Sequence, residues 1–326
     1  MAMTESAPPP PPPSFEPQTH VSHRAEDFFR SPSLISGFLR LCLYLILVYV
    51  IGYGMQRLSG LFVGREFSPF APRSLASGEF VLLASTLIAA WIMSLLEKRS
   101  FAAYGLPLRG AFGKLFWLGA LFGLAEISAV VGAMAALGSY HFGSIVLMNA
   151  AQLLRWLIFW AVFFLVVGLY EEFAFRGYVQ FTLAQGLGFW PAALLLSVAF
   201  GAVHVSNPGE TGAGIAGIVL TGLFWCFTLW RTGSLWFAVG MHASFDFGET
   251  FLYSVPDSGA VFPGHLSSAT LAGPSWITGG TAGPEGSIFD FTLLLLFFYA
   301  VHRLFPRPSL RGPEEDVILK ASDEDA

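Results

Sequence analysis

Apolar residues in this chain gather in nearly unbroken runs, with neither the alternation of a half-buried strand nor the single stripe of a soluble amphipathic helix. Eight runs stand out, at Leu34–Tyr53, Phe80–Leu96, Leu115–Ala136, Leu154–Phe173, Trp190–Val203, Ala213–Trp230, Leu235–Phe247 and Ile288–Phe305. About twenty such residues span a bilayer as a helix, and in lipid only a helix or a closed barrel satisfies every backbone N–H and C=O. The short alternating segments of a barrel are missing. The pattern therefore predicts an all-α, polytopic helical membrane protein with about eight transmembrane helices. The fifth and seventh runs are too short to cross alone and are expected to extend through their polar ends, which puts His204 and His242 inside helices.

Composition supports the same class: 54% of residues are hydrophobic and only 12% charged, which is the balance of an integral membrane protein. The net charge of -5 comes with no basic stripe interleaved with aromatics, so nucleic acid is excluded as a partner and the lipid bilayer is the expected surrounding. Cys42 and Cys226 both lie in apolar runs away from metal-ligand spacing and read as small buried residues. No positively charged stretch followed by an apolar core and a cleavage site opens the chain, so no removable signal peptide is expected.

Three regions follow. Residues 1–33 carry a proline run from Pro8 to Pro13 and read as a disordered cytoplasmic tail. Residues 34–306 form the transmembrane bundle, and 307–326 form an acidic, solvated cytoplasmic tail. Basic residues set the expected orientation. Lys98, Arg99, Arg109 and Lys114 follow the second run, Arg231 the sixth, and Arg303, Arg307 and Arg311 the eighth, against Arg57, Arg65 and Arg73 after the first. Both termini are expected in the cytoplasm, with the protein in the cell's inner membrane. The Gly-, Ser-, Thr- and Pro-rich stretch from Pro256 to Gly286 reads as an exposed loop capping the far side.

Charge inside the runs needs its own explanation. Glu171, Glu172 and Arg176 close the fourth run, although each such group costs about 2.5–3.5 kcal/mol at the bilayer centre. Glu172 and Arg176 are four apart and share a helix face in the favourable order. Glu171 lies about 100° around the helix and is left over. A carboxyl without a partner in apolar surroundings holds its proton more firmly, which suits a general base or acid near neutral pH. His204, four residues after Phe200, and His242, four before Asp246, supply imidazoles, and Asp246 is placed to orient His242. Two chemistries fit: a zinc ion on Glu171, His204 and His242 with an open position for water, or metal-free activation of water by Glu171 and His204 with His242 polarising the scissile carbonyl. Of the other charges, Arg40 is expected to snorkel to the cytoplasmic interface, and Glu126 has no evident partner. Trp190, Trp225, Trp230 and Trp236 read as interfacial belts or packing.

Glu171-Glu172-x-x-x-Arg176, Phe200-x-x-x-His204 and His242-x-x-x-Asp246, in that order on successive hydrophobic segments, resemble the CPBP family of intramembrane proteases, also called the CAAX protease and bacteriocin-processing or Abi family. The likeness covers about residues 154–247. It implies a helical intramembrane endopeptidase acting on peptide or protein substrates in the membrane. Glu171 and His204 would activate water, His242 and Asp246 would stabilise the oxyanion, and Glu172, Arg176 and Phe200 would shape the site. The last motif departs from the prenyl-protein relatives, which have Asn where this chain has Asp246. An ionised carboxylate would repel an oxyanion, so Asp246 is protonated, orients His242 or ligates a metal. For Glu171 to meet His204, the fourth helix must continue past Arg176 toward Gln185. Two other classes share these residues: a non-catalytic membrane scaffold or bacteriocin-immunity protein, and a proton-coupled transporter, which the lack of a repeated broken helix disfavours.

Overall fold

The computed structural model describes residues 33–63, 72–146 and 149–310. The expectations for the proline-rich and acidic tails fall, apart from their innermost residues, outside the described residues. Helices follow the apolar runs in order: α1 (Leu34–Val63), α2 (Pro72–Leu96), α3 (Lys114–Ala136), α4 (Ala150–Arg176), α5 (Tyr178–Leu187), α6 (Phe189–His204), α7 (Gly212–Thr232), α8 (Trp236–Phe247), the short α9 (Ser275–Thr278) and α10 (Ile288–Leu304). Strand appears as β1 (Tyr140–His141) paired antiparallel with β2 (Thr270–Leu271).

All eight expected runs are helical. Five stretches are long and apolar enough to cross a membrane: Leu34–Gly60, Ser74–Leu96, Lys114–Ala136, Ala150–Leu187 and Gly212–Thr232. The runs that became α6, α8 and α10 are shorter, at 16, 12 and 17 residues. The protein is thus an all-α polytopic membrane protein with five full-length spans among its described residues.

The innermost helix is α8, buried from Trp236 through Ala243. Glycines on its neighbours let the backbones approach, the means by which membrane helices pack without a hydrophobic driving force. A Cβ added to Gly119 of α3 would lie 2.0 Å from the Phe237 carbonyl oxygen, and one on Gly123 would lie 2.1 Å from that of Met241. Gly240 returns the fit, since its Cβ would meet the Phe116 carbonyl at 2.1 Å. On the other flank, Gly168 of α4 faces Val239 and Ala243 at 3.2 and 3.3 Å. His242 is therefore seated by backbone contact on both sides of α8.

The fourth span does continue past Arg176, with a break at Gly177. A Cβ there would strike Phe173, its carbonyl at 2.4 Å and its ring at 2.8 Å. After the break, α5 carries the chain on to Leu187, and Ala150–Leu187 forms one 38-residue stretch. Glu171 and Glu172 so lie inside the bundle and not at its edge.

Arg40 departs from its expected position. It is fully buried, paired with Glu97 at 3.7 Å and donating to the Gln185 side chain at 3.0 Å. Glu97 also accepts from the hydroxyls of Tyr178 at 2.6 Å and Tyr104 at 3.0 Å. Burial with partners is open to Arg40 because α1 packs against α5 at the depth where α2 ends. Cys226 is buried as expected, whereas Cys42 is only half-buried. The capping loop is less exposed than its composition suggests: Asp257, Ser267, Thr278 and Ala282 are buried. Polar backbone in that loop is satisfied locally, as where Ser287 Oγ donates to the Ile277 carbonyl at 2.6 Å.

Candidate active site in the membrane bundle

Glu172 and Arg176 meet as their spacing predicts, with Arg176 Nη1 3.2 Å from Glu172 Oε1 and both side chains fully buried. The guanidinium also lies over the Phe200 ring, 4.2 Å from its centroid, and 5.3 Å from that of Trp225. Those two π faces supply partial negative charge where no second carboxylate reaches. The same Glu172 oxygen sits 3.0 Å from His242 Nδ1. Glu172 thereby ties α4 to α8.

The other ring nitrogen of His242 faces two more carboxylates: Asp246 Oδ2 at 3.2 Å and Glu171 Oε2 at 3.6 Å. Asp246 orients His242 across one helical turn. Trp225 of α7 stacks on the imidazole, ring centroids 4.4 Å apart and planes 18° apart. With both nitrogens opposite carboxylates, both bonds form only if the ring or a facing carboxyl carries an extra proton. Of the Glu pair, Glu171 alone reaches open space, with a 21% exposed side chain against 0% for Glu172.

His204 stands apart. It ends α6, where an extended helix was expected to enclose it. Its Nδ1 lies 2.7 Å from the Phe200 carbonyl oxygen. A carbonyl only accepts, so Nδ1 carries the hydrogen, and in the neutral ring Nε2 keeps the lone pair. Glu171 and His204 line the same cavity of about 290 Å³, together with His242 and Asp246. The side chain within ion-pair distance of Glu171 is His242, so the sequence pairing of Glu171 with His204 becomes a shared cavity.

Zinc on Glu171, His204 and His242 does not fit this arrangement. The ligand atoms of these three residues do not gather within 4.8 Å of one another. Among the described residues, the His, Cys, Asp and Glu side chains whose ligand atoms lie within 4.8 Å of one another are Asp246, Glu249 and Asp257.

Residues 153–248 match the family model Rce1-like, described as type II CAAX prenyl endopeptidase Rce1-like. The match covers 96 of the chain's 326 residues. No curated protein and no solved structure matches the chain. The Rce1-like segment holds Glu171, Glu172, Arg176, Phe200, His204, His242 and Asp246, and runs from α4 to the end of α8.

Sequence reasoning passed over several residues that face this cavity. Trp225 reads in the sequence as interfacial belt or packing, since nothing in its spacing links it to His242. Glu79 of α2 and Asp257 and Glu285 of the capping loop also line the cavity, as do Glu126 and Asp290. Glu126 stood without a partner in the sequence, and its buried Oε1 has no hydrogen-bond partner among the described residues. Burial, and then the charge of Asp246, push the Asp257 carboxyl well above the ordinary carboxylate range. Burial and then Asp257 do the same to Glu285. The missed signal was acidic residues in a loop otherwise made of Gly, Ser, Thr and Pro.

Proposed function

We propose that the protein is an intramembrane endopeptidase that hydrolyses peptide bonds of membrane-associated or small peptide substrates, set in the inner membrane with both termini in the cytoplasm. The observation that carries this reading is the convergence of Glu171 and Asp246 on His242 Nε2 at the wall of a cavity, with Glu171 the exposed member. Glu171 takes a proton from water as the water oxygen adds to the scissile carbonyl carbon. The same proton then passes to the departing amine as the C–N bond breaks, so Glu171 ends as it began. His204, holding its lone pair on Nε2, accepts a hydrogen bond from that water. His242, fixed by Glu172 and stacked on Trp225, holds Glu171 in place and offers its Nε2 hydrogen to the developing oxyanion. Asp246 Oδ2 lies 3.2 Å from the same nitrogen, so that hydrogen passes from Asp246 to the oxyanion as charge develops there, while Glu172 on Nδ1 keeps the ring in place. All of these steps use groups of the chain itself.

The test compares the detergent-purified protein with Glu171→Ala on a pooled peptide library and on membrane-anchored peptides, after matching thermal stability. Cleavage by the native protein that the variant loses is the expected result. Equal cleavage by both would remove Glu171 from the reaction. No cleavage of any substrate class would favour the scaffold or immunity reading.

A further inference from the structure

At the end of the matched segment, α8 passes into a single π turn, Gly248–Leu252, that carries Glu249. Such turns often mark functional sites, because the extra residue re-aims side chains. Glu249 is fully buried, and neither of its carboxylate oxygens has a hydrogen-bond partner among the described residues. An orphaned carboxylate in that position is unfavourable unless something charged or protic meets it. What it does approach is more negative charge: ligand atoms of Asp246 and Asp257 lie within 4.8 Å of it and of each other, and all three residues are buried.

Asp246 and Asp257 line the cavity, whose lining among the described residues includes no lysine or arginine. The ion-pair partner of Asp246 is His242, at 3.2 Å, and Thr250 Oγ1 donates to Asp257 Oδ2 at 3.0 Å. These two bonds hold the outer carboxylates in fixed directions, as outer partners do around a metal centre. Oxygen-only ligands suit a hard divalent cation, and bonds of about 2.3–2.6 Å allow ligand oxygens up to about 5 Å apart, which accommodates this spacing.

We propose that Asp246, Glu249 and Asp257 bind a hard divalent cation of the calcium or manganese type. The site adjoins the peptide-cleaving groups and shares Asp246 with them. The cation ties the end of α8 to the capping loop through Asp257. It also holds Asp246 against His242, so the imidazole's position depends on its occupancy. Glu249 and Asp257 lie outside the matched family segment, and the reading does not depend on peptidase activity.

The test is binding of Mn²⁺ to the full chain, purified in detergent and stripped with chelator, read by electron paramagnetic resonance. The expected result is about one tightly held Mn²⁺ per chain, displaced by Ca²⁺. Glu249→Gln and Asp257→Asn should each weaken binding about tenfold or more, while Glu171→Gln and His204→Ala leave it unchanged. Thermal stability guards against a folding artefact. Each carboxylate-to-amide change removes buried like charge, so in chelator the variants should melt no lower than the native protein, and they should lose the rise in Tm that Ca²⁺ gives it. Absence of Mn²⁺ binding would overturn the proposal, as would binding that survives Glu249→Gln. Loss of binding in His204→Ala with retention in Glu249→Gln would move the metal to the catalytic histidines and overturn it equally.

Discussion

Two adjacent glutamates do different work because a helix turns about 100° between them. Glu172 points into the bundle and answers both Arg176 and His242, whereas Glu171 points into the cavity. Substituting one partner of a buried pair leaves the other charge stranded, at a cost of about 3–5 kcal/mol. Glu172→Ala is therefore expected to lower stability by that amount, measured by denaturant unfolding in detergent. Glu171→Gln should leave the unfolding midpoint near that of the native protein and reduce cleavage by about 10²–10⁴-fold. Arg176→Lys tests the aromatic seat of the guanidinium, 4.2 Å from the Phe200 centroid. A lysine keeps the charge but not the planar stack, so a loss of stability with charge retained is the expected outcome on melting.

At the scale of elements, the seating of α8 against α3 and α4 decides where His242 stands. Gly123 and Gly132 lie on the same helix and make a controlled pair. A Cβ at Gly123 would come 2.1 Å from the Met241 carbonyl, whereas one at Gly132 has nothing within 4 Å. Gly123→Val must push α8 outward, carrying His242 away from Glu172, and is expected to cost about 1–3 kcal/mol or more together with activity. Gly132→Ala should fall within about 0.5 kcal/mol of the native protein or slightly above it, since it also gains helix propensity. Melting curves and cleavage rates of the two variants side by side check this. The buried cluster of Arg40, Glu97, Tyr104 and Tyr178 does for α1, α2 and α5 what the glycines do for α3 and α8, using charge and hydrogen bonds in place of close backbone contact.

For the molecule as a whole, the cavity draws carboxylates from α2, α3, α4, α8, α10 and the capping loop, and among the described residues its lining includes no lysine or arginine. A cavity lined by many carboxyl groups disfavours acidic ligands. Peptides with Asp or Glu near the scissile bond are therefore expected to be cut more slowly than their Asn or Gln counterparts. Sequencing the cleavage products of a pooled library measures this, and equal representation of acidic and neutral sites would count against it.

Hydropathy by itself determined that the chain is a helical membrane protein, because lipid leaves the backbone no other open-ended solution. Helical spacing by itself paired Glu172 with Arg176 and His242 with Asp246, since residues four apart must share a face. The contacts across helices were another matter. That Glu172 also holds His242, that Trp225 stacks on it, and that Arg40 is buried on Glu97 depend on which helices adjoin and at what depth, which local periodicity does not encode. The gathering of Asp246, Glu249 and Asp257 depends on a π turn and a folded loop, and their proximity arose only when the capping loop closed over the end of α8.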